Sequence, residues 1–176
     1  MATKKPLKKT ITKKNTVKKA EAVVSDLVGK KVGKFHLPMT SEKALSDTDL
    51  KAQTAVIYFY PKDNTSGCTA EGENFRDEFM QFKKLGIHIY GVSRDSVKSH
   101  EGFKAKFRFQ FELISDSDEK LCKLFDVMKM KSMYGRKYMG VERSTFVVQN
   151  GKVIKEWRNV KVPGHVKEVL EFVKGL

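Results

Sequence analysis

At 176 residues and 20.1 kDa, the chain suits one domain with a full core plus a tail. No apolar run approaches the ~18 residues of a membrane-spanning helix, and the only two cysteines, Cys68 and Cys122, form no CxxC pair, which excludes a zinc ribbon and a thioredoxin-type dithiol. The net charge of +14 is uneven: residues 1–20 hold eight Lys and no acid, whereas the remainder carries 27 basic and 21 acidic side chains.

Residues 1–22 have too little apolar content to offset the entropy of ordering and are expected to form a disordered, Lys-rich tail ahead of one domain over 23–176. The tail reads equally as a non-specific tether to nucleic acid or as a solubilising segment. It has no apolar signal segment, and no Arg precedes Arg76, so neither a secretory nor a mitochondrial leader is expected. With so few cysteines, the expected compartment is the reducing cytoplasm, where the tail allows association with a nucleoid or nucleus.

Ser46, Asp47 and Leu50 read as a short turn before the first core strand. Val56–Tyr60, rich in β-branched and aromatic residues, predicts a buried strand ended at Pro61. Asp63, Asn64, Ser66 and Gly67 mark a turn. From Thr69 the apolar spacing becomes helical through Phe75, Phe79, Phe82 and Leu85, with Gly86 as C-cap. Residues 87–93 read as a strand and Asp95 as N-cap of a helix carrying Val97, His100, Phe103 and Phe107. Residues 111–115 read as a third strand, after which Ser115 or Asp116 caps a short helix holding Leu121, Cys122, Leu124 and Phe125. Phe107, Phe109 and Phe111 read as core rather than as base-stacking residues.

Residues 128–142 look too polar and Gly-broken for a core element. Residues 143–149 and 152–160 flank Asn150-Gly151, the preferred pair for a type I′ hairpin turn. Pro163 is expected to open a final helix with Val166, Val169, Leu170 and Val173 on one face.

In this layout Cys68 sits where a loop enters a helix. Unpaired backbone N–H groups and the helix dipole there favour an anion, so the thiol tends to ionise. The spacing Pro61-x-x-x-Thr65-x-x-Cys68, with its flanks FYPKDNTSGCTAE, resembles the signature of the peroxiredoxins, in the bacterioferritin-comigratory or peroxiredoxin Q branch. VGKKVGKFHLPM, MYGRKYMGVERSTFVV and VKVPGHVKEVL are similar to the same branch, so the resemblance covers residues 28–174. Gly33 stands where the family usually has Pro.

The resemblance implies an α/β, thioredoxin-like fold, a central mixed sheet flanked by helices. It implies an enzyme: a thioredoxin- or thiol-dependent peroxidase that reduces hydrogen peroxide and organic hydroperoxides through a sulfenic acid on Cys68. Lowering a thiol pKa by two units takes roughly 2.7 kcal/mol, more than the ~0.3–1 kcal/mol that a helix N-terminus usually supplies. A cation and hydrogen bonds must add the rest. The resemblance assigns them to Arg143, touching sulfur and peroxide together; to Thr65, bridging the two; to Pro61, shielding the thiolate; and to the backbone N–H groups of Gly67 and Cys68. Glu71 is read as a first-turn helix stabiliser. Taken singly, each of these residues also has a structural reading.

Many members of the branch carry a resolving cysteine five residues after the peroxidatic one, where this chain has Glu73. A one-cysteine cycle is therefore expected, with thioredoxin, glutaredoxin, glutathione or another external thiol as reductant. The alternative is an atypical two-cysteine cycle in which Cys122 resolves after local unfolding. A second alternative is a nucleic-acid-associated peroxide sensor. The four histidines share no metal-ligand spacing, so neither metal nor cofactor is expected. Nor is a membrane partner. A monomer is expected, with a dimer as the alternative. His165 matches the family's Gly-His without a role that the sequence supplies.

Overall fold

The computed structural model describes residues 27–176; the expected tail, 1–22, lies outside them. β1 (His36–Met39) pairs antiparallel with β2 (Lys43–Ser46). α1 (Asp47–Lys51) follows, closed by a capping box in which the Ser46 hydroxyl accepts from the Asp49 N–H and the Asp49 carboxylate accepts from the Ser46 N–H. The central units are β3 (Thr54–Phe59), α2 (Ser66–Lys84), β4 (Ile87–Ser93), α3 (Val97–Phe107) and β5 (Glu112–Ser115). Then come α4 (Lys120–Leu124), β6 (Met128–Met133), β7 (Arg136–Val141), β8 (Ser144–Gln149), β9 (Lys152–Trp157) and α5 (His165–Lys174).

Seven strands form one mixed sheet in the order β2-β1-β5-β4-β3-β8-β9, with β3, β4 and β5 parallel and the outer pairs antiparallel. Successive side chains of a strand point to opposite faces. In β3 this sends Ala55, Ile57 and Phe59 into one core and Val56 and Tyr58 into the other. The first core is closed by Leu50 of α1 and Leu121 of α4, the second by Phe75 and Phe82 of α2, Phe103 of α3 and Val166, Val169, Leu170 and Val173 of α5. A strand buried on both faces reads as an unbroken apolar run, which is why β3 is so visible in the sequence. The thioredoxin-like α/β expectation holds. Asn150 and Gly151 take φ of 51° and 75°, the two positive angles of a type I′ turn.

Several boundaries differ from expectation. α2 begins at Ser66, because Ser66 and Gly67 fill its first turn without joining its apolar stripe. Its C-cap is Leu85, with Gly86 one position beyond at φ 70°. Ser96, not Asp95, caps α3, its hydroxyl accepting from Ser99 N–H at 3.2 Å. Asp95 is engaged elsewhere, accepting from the Ser93 hydroxyl at 2.6 Å. Asp116 does serve α4, accepting from the backbone N–H of Leu121 and Cys122 at 3.1 and 2.7 Å. Pro163 lies in the turn before α5, whose N-cap is Gly164 at φ 78°. Residues 128–141 form a regular two-stranded hairpin, β6–β7, outside the main sheet. Phe109 and Phe111 are buried and stacked, 5.1 Å between centroids.

Candidate active site

The β3–β8 register brings the site together. Phe59 pairs with Ser144, so the residue before Ser144, Arg143, emerges beside the chain as it leaves β3. From there the 60–65 loop reverses through Asn64 at φ 59°, and Thr65, extended at φ −85° and ψ 153°, becomes the N-cap of α2. Ser66, Gly67 and Cys68 are the first turn. The first backbone bond of the helix runs from Thr69 N–H to Thr65 C=O at 2.9 Å, so the three N–H groups before it have no partner within the helix.

Cys68 is only 2% exposed. Arg143 Nη2 donates to its Sγ at 3.4 Å, while Nη1 forms an ion pair with Glu71, one turn farther along α2. A Cβ on Gly67 would lie 3.2 Å from Nη2, so glycine here leaves room for the guanidinium. Glu71, read from the sequence as a first-turn helix stabiliser, is fully buried and holds Arg143. Burial pushes the Glu71 carboxyl up to about 7, against the charge and hydrogen bond of Arg143. For Arg143 burial works against the charge, but Glu71 and the sulfur outweigh it and hold the guanidinium more basic than usual. Glu71 Oε1 and the Tyr58 hydroxyl, both buried, have no hydrogen-bond partner among the described residues.

Pro61 is half-buried just past β3. The Thr65 hydroxyl is exposed and donates to Lys62 C=O at 2.9 Å; no hydrogen bond from it to the sulfur forms. The structure therefore brings Arg143 onto Cys68 and leaves Thr65 three residues away at the helix cap.

A buried network missed by sequence reasoning shapes the loop. The Asp63 carboxylate accepts from the Tyr60 hydroxyl (2.7 Å) and the Ser99 hydroxyl (2.7 Å) and meets His100 Nδ1 at 2.9 Å. The other nitrogen of His100 meets Ile114 C=O at 3.1 Å, and Asp63 N–H donates to Asp95 at 3.0 Å. Burial opposes the Asp63 charge, but the bond and charge of His100 keep its carboxyl below the usual range. The available signal was a histidine placed among phenylalanines on the apolar stripe of α3. His165 Nε2 lies 2.8 Å from the Thr145 hydroxyl, tying α5 to β8; burial lowers its pKa to about 4.

Cys122 is fully buried in the opposite core from Cys68, so the sheet separates the two thiols. Burial and the Asp116 carboxylate push the Cys122 thiol far up. Among the described residues, no cluster of His, Cys, Asp and Glu is arranged to hold a metal.

Residues 28–157 match the model of the AhpC/TSA family. The peroxiredoxin Bcp of Xanthomonas campestris is 51% identical over 144 residues, 80% of this chain and 89% of its own length. That of Bacillus subtilis is 43% identical over 150 residues, 85% and 96% of the two chains. The solved structure of the Xanthomonas campestris bacterioferritin comigratory protein, described for its alkyl peroxide reduction activity, superposes with a TM-score of 0.77 at 47% identity, covering 80% of this chain and 90% of that one.

Proposed function

The chain belongs to the AhpC/TSA family, among the peroxiredoxins of the Bcp and Q type, and is a thiol-dependent peroxidase; we propose that Cys68 is its peroxidatic residue and that it works in a one-cysteine cycle. The observation that carries this is the 3.4 Å contact from Arg143 Nη2 to Cys68 Sγ at the start of α2. The Cys68 thiolate attacks one peroxide oxygen in line, the O–O bond breaks, and the other oxygen leaves as hydroxide or alkoxide and takes a proton. Arg143 presents two donors in a fixed plane, so it can stabilise the sulfur and the departing oxygen at once. The N–H groups of Gly67 and Cys68, without a partner among the described residues, complete the anion site. Thr65, whose proton is given to Lys62 C=O, keeps hydroxyl lone pairs to accept from the peroxide O–H. Pro61 walls the pocket.

The product is a Cys68 sulfenic acid. An external thiol condenses with it, releasing water and forming a mixed disulfide, and a second thiol restores Cys68. Thioredoxin, glutaredoxin and glutathione are the candidate reductants. Cys122, across the sheet and beside a carboxylate, is a poor resolver. Intact-mass measurement after one equivalent of peroxide tests this. One added oxygen on Cys68, trapped by dimedone, is expected; a Cys68–Cys122 disulfide in the peptide map would overturn the one-cysteine cycle.

The reading extends to the working arrangement: a monomeric peroxidase domain over 23–176, in the cytoplasm, with the Lys-rich segment 1–22 holding polyanions without sequence preference. Deleting residues 1–22 should then abolish salt-sensitive retention on DNA and leave peroxidase rates unchanged. DNA affinity that ignores salt would reject the tether.

A further inference from the structure

Of the ten exposed large hydrophobic side chains among the described residues, five lie in the β6–β7 hairpin: Met130, Met133, Tyr134, Tyr138 and Met139. Such concentration marks an interaction surface rather than scattered exposure. The register explains how it arises. Met128 and Val141 pair at the base and pack on the core, and the next pair outward on that side is Met130 with Met139. The apolar stripe thus runs from the core out into solvent. At the tip, Tyr134 and Gly135 form the turn at φ 50° and 75°, leaving Tyr134 97% exposed.

The charge of the hairpin is one-sided. Residues 128–141 hold Lys129, Lys131, Arg136 and Lys137 and no acid. Lys129 is paired with Asp126 at 2.7 Å and Lys131 donates to Val141 C=O at 2.5 Å, but Arg136 and Lys137 enter no ion pair among the described residues. The hairpin also stands at the site. β7 ends two residues before Arg143, and Lys131 lies within electrostatic range of both Arg143 and Cys68.

We propose that the β6–β7 hairpin is the docking surface for an acidic dithiol protein that reduces oxidised Cys68. Met, Tyr and Arg are the residue types enriched at protein interfaces, and the unpaired cations select an acidic partner whose thiol must reach the adjacent sulfur. One partner thiol displaces water from the Cys68 sulfenic acid to give a mixed disulfide. Its second thiol then attacks that bond, so Cys68 leaves as a thiol and the partner carries the two-electron oxidation as its own disulfide. This rests on the external-thiol cycle proposed above.

The test uses the full chain, an acidic thioredoxin and dithiothreitol as alternative reductants. Arg136→Glu with Lys137→Glu, and separately Tyr134→Ser with Met133→Ser, should raise KM for thioredoxin at least tenfold. Both should leave dithiothreitol turnover and the rate of Cys68 oxidation unchanged, and added salt should weaken wild-type thioredoxin turnover. Equal losses with both reductants would mean that the hairpin merely supports the site, and unchanged KM values would reject docking. Loss of binding to anionic vesicles or DNA with thioredoxin kinetics intact would assign the surface to those partners instead. Wild type that turns over with dithiothreitol but not thioredoxin overturns the docking alone; wild type that turns over with neither overturns the external-thiol cycle beneath it.

Discussion

Cys68 and Cys122 are both nearly inaccessible, yet they sit in opposite electrical surroundings. Cys68, in the first turn of a 19-residue helix, has a guanidinium 3.4 Å from its sulfur. Cys122, in a five-residue helix on the other side of the sheet, has a carboxylate whose oxygens accept from its own backbone N–H and that of Leu121. The same Asp116 that secures α4 thereby makes its thiol harder to ionise. Exposure does not tell the two cysteines apart, since both are buried. What differs is the sign of the nearest charge, a cation at Cys68 and, added to the effect of burial, a carboxylate at Cys122.

The largest expected effect is from Cys68→Ser, which should lower hydroperoxide reduction roughly 10³-fold or more, as loss of a nucleophile does. Residual activity of more than a few per cent would end the assignment. Arg143→Lys keeps the charge but loses the fork, and should slow Cys68 oxidation by about 10²-fold, the scale of one lost preorganised donor. Equal second-order rates would show that charge alone suffices.

The Cys68 face also carries two buried titrating groups of opposite sign. His165 titrates at about 4 when folded and 6.5 ordinarily, so the unfolded chain binds more protons in between and stability is lost as pH falls through that window. Glu71 titrates at about 7 when folded and 4.5 ordinarily, so the folded chain binds more protons in between and stability is lost as pH rises. Both shifts cost stability, but in opposite pH directions, so they offset each other across this range. Urea denaturation across mildly acid to neutral buffers should give a wild-type profile flatter than that of either single variant. His165→Gln should become less stable with rising pH and Glu71→Gln more stable. Level profiles for both variants would dismiss the coupling.

The smallest effect is expected from Cys122→Ser. Its turnover with glutathione or dithiothreitol should stay at the wild-type rate, while stability falls by about 1–3 kcal/mol because a hydroxyl replaces a packed thiol. Dependence of thioredoxin turnover on Cys122 would reinstate it as resolver.

The sequence carries most of the fold because the signals are local and redundant. A doubly buried β3, the Asn150-Gly151 turn and the stripe of α5 each depend on a few neighbouring residues. Helix ends were less legible, since Asp95 and Ser96 are both good caps and only tertiary competition for Asp95 decides between them. At the site, Cys68 and Arg143 follow from the motif, but Glu71 looks like any acidic residue near a helix start until the fold buries it. Asp63 and His100 are 37 residues apart and meet only because α3 packs over the loop. Residues 128–141 lack alternation because only the base of the hairpin, Met128 and Val141, packs on the core, so the rest of the pairing left no pattern to read.

The Asp63 tether has a consequence for the working life of the molecule. It ties the loop before Cys68 to Asp95, just past β4, and to Ser99 and His100 of α3, and His100 carries the tie on to β5. In the cycle proposed for Cys68, the sulfenic acid forms on a side chain that is only 2% exposed. Each turnover of that cycle is a race between rescue by a thiol and a second oxidation to the irreversible sulfinic acid. How many cycles one molecule completes before it is spent is set by the ratio of those two rates, and loosening His100 would shift it.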